Sequence, residues 1–127
     1  MPALLAYLED KKTLLSTSKL QVAVVYIAEA HASDTWPMKW AVEWPRPVNL
    51  EQRVQYARTC VKDLQLGGMR LLVDDMDNAF NACFGAWPTS YYILHHTKLI
   101  YIGNPPPTEA FYDIHQLFDE LDNLLLA

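Results

Sequence analysis

The stretch Lys19–Trp36, KLQVAVVYIAEAHASDTW, decides the fold of this chain and raises the question of its function. Its first half is a continuous apolar run rich in valine, which is typical of a strand covered on both faces of a sheet. Its second half is polar and contains Glu29, His31, Ser33, Asp34 and Trp36. Because α/β proteins collect their active sites at the carboxyl ends of strands, this end of the predicted strand is the candidate site.

Helix and strand patterns alternate on both sides of this stretch. Proline in the first turn and a leucine stripe predict a helix over residues 2–15, and Asn49 with Gln52 predicts the cap of the next helix. The later elements are predicted as a helix from Leu50 to Gly67-Gly68, a strand over 69–74, a short helix ending near Gly85, two strands that turn at His96 to Lys98, and a helix over 109–126. The order αβαβαββα predicts an α/β sandwich with a mixed sheet, formed by a single domain of residues 1–127.

The apolar spacing of two helices predicts which of their side chains are buried. In the helix that begins at Leu50, the inward positions are Leu50, Val54, Ala57, Val61 and Leu64. In the last helix they are Phe111, Ile114, Leu117, Phe118, Leu121 and Leu125.

Composition and charge exclude several classes of protein. The formal net charge is −5 and the 10 basic residues are scattered, whereas a nucleic-acid partner needs clustered lysine and arginine. No apolar run is long enough to span a bilayer, and the amino-terminal residues lack a signal-peptide pattern. We therefore expect no nucleic acid and no membrane at this segment. The expected location is the cytosol or the cytoplasmic side of a membrane, with an upstream anchor left open.

Cysteine and histidine do not suggest a metal. Cys60 and Cys83 form neither a CxxC pair nor a metal-ligand cluster, so they are predicted to be structural thiols in a reducing compartment. His95 and His96 lie at the predicted hairpin turn and are predicted to be exposed, with no third ligand spaced to join them. The sequence predicts neither a metal nor another bound cofactor.

The order of elements, with Trp87-Pro88 before the hairpin, resembles the thioredoxin superfamily, in which this proline is cis. Within that superfamily, VVYIAEAHASDTW at 24–36 is similar to the YIEEAHxSDGW pattern of iodothyronine deiodinases. Three more stretches resemble that family: NLEQRVQYARTCV at 49–61 its LxDR helix, LLVDDMDNAFNACFGAWP at 71–88 its VVVDxM strand and YGALP-like turn, and YYILHHTKLIYIGNPPP at 91–107 its hairpin. The resemblance covers nearly the whole chain and implies a thioredoxin-like sandwich.

The resemblance also implies a nucleophile that these residues do not contain. Deiodinases use a selenocysteine followed by proline, and the comparison of patterns puts Met1 at or beside the selenocysteine and Pro2 on the proline. A thioether has no ionisable proton, so Met1 cannot replace a selenolate. We expect that the natural protein starts earlier and that the 127-residue chain alone is inactive.

The strand that carries this nucleophile lies, in the superfamily, between the strands that match 24–28 and 91–94. Its absence would leave two rows of backbone donors and acceptors without partners. An upstream segment is the expected solution. Direct pairing of the two flanking strands and a strand supplied by a partner chain are the alternatives.

The resemblance implies a reductive removal of iodine from an aromatic ring, and this reaction gives two residues catalytic roles. His31 is the candidate proton donor or polariser of the iodine, because an imidazole exchanges protons at neutral pH. Glu29 lies two residues earlier, on the same face of a continuing strand, where it would orient the imidazole or bind a cationic amino group. The candidate substrate-binding residues are Ser33, Asp34, Trp36 and Pro88.

Each of these roles has a structural alternative. Ser33 and Asp34 would otherwise fix the loop by turn hydrogen bonds, and Trp36 would belong to the apolar side of a short helix rather than stack on an iodinated ring. The expected partners are a small aromatic, iodinated substrate and an external thiol reductant. A homodimer is also expected.

Three positions depart from the family's pattern. Ala28 replaces the first glutamate of EEAH, Pro47 stands at or beside a histidine of the family, and Ser90 replaces an arginine. The family ties these positions to thyronine recognition and proton delivery, so two other functions stay open. One is a thiol-dependent peroxidase or reductase on the same scaffold, and the other is a non-catalytic thioredoxin-like binding module.

Overall fold

The computed structural model of the chain describes residues 2–17, 19–30, 32–34, 44–66, 68–107 and 111–126. In chain order, the described helices and strands are α1 (Pro2–Asp10), α2 (Lys12–Ser16), β1 (Ala23–Tyr26), α3 (Leu50–Asp63), β2 (Arg70–Val73), α4 (Ala79–Phe84), β3 (Tyr91–His95), β4 (Lys98–Gly103) and α5 (Ile114–Leu126). They form two compact units: Leu14–Pro88, and Met1–Thr13 together with Thr89–Ala127. The single domain predicted over residues 1–127 stays a prediction.

The unit Leu14–Pro88 is built on a parallel strand pair. β1 pairs with β2 over four residues, with Ala23 opposite Arg70 and Tyr26 opposite Val73. Parallel strands need a crossover connection, and α3, which packs on β2, supplies it. Both strands therefore end at the same edge, and the loop to α4 begins there.

The start of α3 confirms the predicted cap. The side chain of Asn49 accepts a hydrogen bond from the backbone N–H of Gln52 at 2.9 Å. The side-chain oxygen of Gln52 accepts in return from the backbone N–H of Val48 at 2.8 Å. The backbone N–H of Gln52, which the helix itself leaves without a partner, and that of Val48 before the cap are satisfied in this way.

The end of α3 corrects the sequence prediction, because the helix stops before Gly67-Gly68. Gln65 takes the left-handed conformation with φ of 58°. Leu66 N–H donates to Val61 O at 2.8 Å, and Gln65 N–H donates to Lys62 O at 3.1 Å. These two bonds form a Schellman motif with glutamine at the position where glycine is usual. At the end of α4 the prediction is confirmed, since Gly85 is left-handed with φ of 64°.

The unit formed by Met1–Thr13 and Thr89–Ala127 is an antiparallel hairpin with two helices. β3 pairs with β4, and α5 packs against both β4 and α1. Leu117 and Phe118 of α5 are buried as predicted. The ring of Tyr7 in α1 stacks on Phe118 with centroids 4.3 Å apart and planes 2° from parallel.

Two helix boundaries differ from the sequence prediction. The helix predicted over residues 2–15 is divided at Lys11, whose N–H donates to both Tyr7 O and Leu8 O at 3.1 Å. The last helix begins at Ile114, later than predicted, and Phe111 before it is 78% exposed rather than buried.

The described strands form one parallel and one antiparallel pair, as a mixed sheet requires, but the pairs belong to two separate sheets of two strands each. The chain is thus of the mixed α/β class, while the thioredoxin-like order of strands stays a prediction. None of the helices in the described ranges is long and apolar enough to cross a membrane.

Candidate functional site

A cavity of about 440 Å³ opens at the carboxyl edge of the unit Leu14–Pro88. It is bounded by the residues that follow β1, by the loop after β2 and by the beginning of α3. The described residues that line it are Ala28, Glu29, Asp34, Arg46, Pro47, Val48, Arg53, Met76 and Asn78. Four of these carry ionisable groups, so the cavity is suited to a polar or charged part of a ligand.

The loop after β2 is held in place by Asp74. Its backbone N–H donates to Tyr26 O at 2.8 Å, which continues the contact between the two strands. Its carboxylate accepts from Phe80 N–H and Asn81 N–H, each at 2.9 Å. Asp74 is 4% exposed, and it satisfies the start of α4, where Asn78 makes no side-chain cap. These hydrogen bonds therefore fix the backbone at this edge of the cavity.

Arg53 enters this edge from α3. It is 4% exposed, and its Nη1 donates to Asp74 O at 3.2 Å, to Asp75 O at 2.7 Å and to Asn78 Oδ1 at 3.0 Å. Three acceptors from one loop hold one end of the guanidinium. An arginine placed in this way joins α3 to the loop after β2.

The other side of the Arg53 guanidinium faces Glu29. Arg53 Nε lies 3.8 Å from Glu29 Oε1, and the two side chains are only 5% and 11% exposed. These two atoms are buried and make no hydrogen bond with the described residues. Burial, followed by the charge of Glu29 and a hydrogen bond with it, raises the pKa of Tyr26 well above its usual range. The carboxyl group of Glu29 therefore lies between a guanidinium and a phenol.

The position of Glu29 corrects one premise of the sequence argument. β1 ends at Tyr26, so Glu29 lies in the segment beyond the strand and the alternation of faces along a strand does not apply to it. His31 and Trp36 lie outside the described residues. Their predicted roles stay predictions.

Ser33 and Asp34 close a loop. Ser33 N–H donates to Trp44 O at 2.7 Å, and Asp34 accepts from Arg46 N–H at 3.0 Å and pairs with its guanidinium at 3.7 Å. The ring of Trp44 stacks on Tyr56 of α3 with centroids 4.5 Å apart. The side chain of Asp34 thus fixes the loop, whereas the bond of Ser33 comes from its backbone, and substrate binding by either residue stays a prediction.

Pro88 has the peptide geometry that the resemblance implies, because the Trp87-Pro88 bond is cis. Trp87 N–H donates to Asn81 Oδ1 at 2.8 Å, which ties this turn to α4. The role of Pro88 toward a substrate stays a prediction.

Cys60 does not resemble an activated nucleophile, and neither cysteine belongs to a metal-ligand group among the described residues. Cys60 is half-buried, and burial together with the charge of Asp63 raises the pKa of its thiol. Cys83 is exposed on α4. In the described ranges, no group of three histidine, cysteine or acidic residues is placed to hold a metal. His95 and His96 are exposed as predicted, with ring centroids 4.3 Å apart.

The sequence argument missed Arg53 and Asp74, although both lie in quoted motifs. A signal was present for Arg53, because it lies four residues before Ala57, the most buried position of α3, and so on the same helix face. A basic residue in a predicted apolar face indicates a buried partner. For Asp74, the signal is its place directly after a strand.

The fold and the cavity define an α/β protein with a buried glutamate–arginine pair beyond a parallel strand. The model of the iodothyronine deiodinase family matches residues 1–124. The chain therefore belongs to the iodothyronine deiodinase family, and the resemblance stated from its motifs is confirmed.

Individual relatives agree. A thyroxine 5-deiodinase from Sparus aurata is 36% identical over 85 residues, which are 66% of this chain and 31% of that protein. A type II iodothyronine deiodinase from Petromyzon marinus is 32% identical over 108 residues, 80% of this chain and 35% of that protein. A type I iodothyronine deiodinase from Xenopus laevis is 31% identical over 84 residues, 66% of this chain and 32% of that protein. The chain thus spans about a third of the length of these curated relatives.

Proposed function

We propose that this chain is part of a reductive deiodinase that acts on iodinated thyronines. The observation that carries the proposal is Glu29, which is 11% exposed and faces Arg53 at the wall of a cavity, in the stretch that most closely resembles the family's signature. Relatives named as thyroxine and iodothyronine deiodinases favour this function over a thiol peroxidase or a binding module.

The reaction replaces a carbon–iodine bond by a carbon–hydrogen bond. A selenolate or thiolate attacks the polarisable iodine, the electron pair of the carbon–iodine bond stays on the ring carbon, and that carbon takes a proton. The product on the enzyme is a selenenyl or sulfenyl iodide. Two molecules of an external thiol then release hydrogen iodide, leave as a disulfide and restore the selenol or thiol. No bound cofactor is needed for this balance.

The chain's residues would serve the proton and the ring. His31 is proposed to deliver the proton to the ring carbon, and Glu29 to hold the imidazole or the substrate's ammonium group in place. Trp36 is proposed to stack on the ring. Ser33, Asp34 and Pro88 are proposed to complete the substrate's surroundings.

The nucleophile is proposed to come from outside these 127 residues. They contain no selenocysteine, and of the two cysteines Cys60 has a thiol whose raised pKa disfavours the reactive thiolate. The family's selenocysteine would stand next to Pro2. We include in the proposal a thioredoxin-like strand order, a homodimer and a location on the cytoplasmic side of a membrane or in the cytosol.

The cavity wall suggests how recognition differs from the family's pattern. Ala28 and Pro47 line it, at positions where the resemblance implies a glutamate and, at or beside the second, a histidine. Apart from Arg53, which is bound to the loop after β2, the ionic groups that line the cavity and could face a thyronine's amino and carboxylate groups are those of Glu29, Asp34 and Arg46. Binding is therefore proposed to depend on a different set of charges.

Iodide release by the natural protein tests the proposal. With thyroxine and dithiothreitol, we expect iodide from the natural protein and none from the 127-residue chain alone. His31→Ala should lower kcat of the natural protein by about 100-fold or more, as for loss of a general acid. Arg58→Ala, an exposed change on α3, is the matched control and should leave the rate unchanged.

Two results would contradict the proposal. One is a natural protein that consumes peroxide and releases no iodide. The other is a 127-residue chain that releases iodide faster than its own His31→Ala variant.

A further inference from the structure

The Arg53–Glu29 pair connects a helix to the candidate site, and the reaction proposed above does not use Arg53 directly. We propose that Arg53 is a positioning residue that fixes the carboxylate of Glu29 at the cavity wall. This inference rests on the proposed function, because the value of a fixed carboxylate depends on the reaction that it serves.

The geometry makes Arg53 a rigid connection. The guanidinium is planar, so the direction of one nitrogen is set once another is held. Its Nη1 is held by the Asp74 and Asp75 carbonyls and by Asn78 Oδ1, at 2.7 to 3.2 Å. Its Nε then lies 3.8 Å from Glu29 Oε1. The loop after β2 and the helix α3 together decide where the charge opposite Glu29 lies.

Because the Glu29 side chain is largely shielded from water, its carboxylate needs the positive charge of Arg53 beside it. The Glu29 side chain is 11% exposed, and it lies beyond the end of β1, where no strand pairing holds its backbone. A carboxylate in such surroundings is neutralised or moves toward water unless a cation faces it. Arg53 is the cation that the structure pairs with it. A lysine has a single nitrogen at its head and cannot bind the three loop acceptors and face Glu29 in the same planar arrangement.

A positioning role predicts a particular kinetic result. A carboxylate that is misplaced or mobile still permits the substrate to bind through its other contacts, but it no longer supports proton delivery in the transition state. The loss should therefore appear in kcat and leave KM nearly unchanged. The loss of kcat caused by substituting Arg53 should also disappear when Glu29 has already been replaced by a neutral residue.

The test uses the natural protein with four substitutions: Arg53→Lys, Glu29→Gln, the two combined, and Arg58→Lys as control. Arg58 is exposed on the same helix and does not line the cavity. We expect Arg53→Lys to lower kcat for iodide release about 10- to 100-fold with KM within about twofold. Glu29→Gln should lower kcat at least as much, the double variant should lose no more than Glu29→Gln, and the control should match the unsubstituted protein.

A second measurement detects the pair without activity. The Nε–H of a buried arginine exchanges slowly and gives its own ¹⁵N–¹H resonance. In the same protein, Arg53→Lys should remove one such resonance and Glu29→Gln should shift it. Arg53→Met with Glu29→Gln, which leaves no unpaired charge, provides a folded variant if Arg53→Lys unfolds; its kcat should equal that of Glu29→Gln.

Three results would overturn the inference. They are an unshifted resonance in Glu29→Gln, a kcat unaffected by Arg53→Lys in folded protein, and losses from the two single substitutions that multiply in the double variant. If the unsubstituted protein releases no iodide, the proposed function fails, and the resonance alone decides whether Arg53 fixes Glu29.

Discussion

The two compact units of this chain bury different kinds of side chain. In the unit Leu14–Pro88, Arg53 and Asp74 are each 4% exposed and bind backbone and side-chain atoms around the cavity. In the other unit, aromatic rings pack on one another, as in the stacking of Tyr7 on Phe118 and the contact of Tyr112 with Tyr91, and the Tyr112 ring also lies against Gly103.

This difference separates function from stability. Burying charge is a weak way to stabilise a fold, because desolvation cancels most of the attraction, yet removing one partner is strongly destabilising. Ring packing stabilises directly through buried area and contact. The buried charged residues therefore indicate a functional site, whereas the packed aromatic rings stabilise the fold. Three substitutions test this comparison, in order of decreasing expected effect.

Asp74→Ala should have the largest effect on stability. It leaves the N–H groups of Phe80 and Asn81 without their acceptor in a part-buried place, at a cost of about 3 kcal/mol in the free energy of unfolding. Urea unfolding followed by circular dichroism measures this loss. Asp77→Ala is the matched control, since Asp77 is exposed and accepts one bond from Ala79 N–H, and its cost should be about 1 kcal/mol or less.

Equal losses for the two aspartates would contradict the difference between buried and exposed carboxylates. They would mean that the buried carboxylate holds the loop no better than an exposed one. If Asp74→Ala also abolishes slow exchange of the Arg53 Nε–H, the loop held by Asp74 is what keeps the guanidinium in place.

Gly103→Ala tests the aromatic unit and should cost about 2 kcal/mol, the usual penalty of overpacking. A Cβ at this position would lie 2.5 Å from Tyr112 Cζ, which is closer than two non-bonded carbon atoms approach one another. Tyr112 cannot turn away freely, because its ring packs on Tyr91 with centroids 5.3 Å apart and its hydroxyl bonds to that of Tyr101.

The matched measurement is the same glycine substitution in a Tyr112→Leu background. There the added methyl group meets a shorter side chain, so Gly103→Ala should cost less than half as much. A cost that is unchanged in that background would show that the backbone, and not the ring, requires glycine.

The sequence predicted these units unevenly, and particular residues show why. The Asn49 cap, the end of α4 near Gly85 and the hairpin are local, since each depends on neighbours within a few residues, and each was predicted. The Arg53–Glu29 pair joins residues 24 positions apart and follows from how α3 lies on β2. No periodicity contains that information.

The inner face of α3 illustrates the same limit. Leu50 and Leu64 belong to its apolar stripe and are each 39% exposed, whereas Arg53 is buried. The apolar stripe predicted which face of α3 is turned inward, and Ala57, which is 0% exposed, confirms that prediction. What decides the burial of Arg53 is a set of carbonyl groups from another element, which a hydrophobic pattern cannot show.

Tyr7→Phe should have the smallest effect, and its pH dependence identifies the cause. The Tyr7 hydroxyl donates to Asp122 Oδ1 at 2.8 Å, and Lys11 Nζ lies 3.2 Å from the same oxygen. The bond with Tyr7, and then that with Lys11, lowers the pKa of Asp122 below its usual 3.8. A group whose pKa is lowered on folding adds stability above its unfolded pKa, and that stability is lost as the pH falls through the folded value.

The difference in melting temperature between the chain and its Tyr7→Phe variant should therefore be present at neutral pH, amount to about a few degrees at most, and shrink as the pH falls below 3.8 toward the lowered pKa of Asp122. Tyr7 stays neutral throughout this range, because burial and Asp122 raise its pKa. Lys11→Met is the matched control and should show the same trend with acid. A difference that is constant from pH 7 to 2 would show that the contribution of the Tyr7 hydroxyl does not depend on the charge of Asp122.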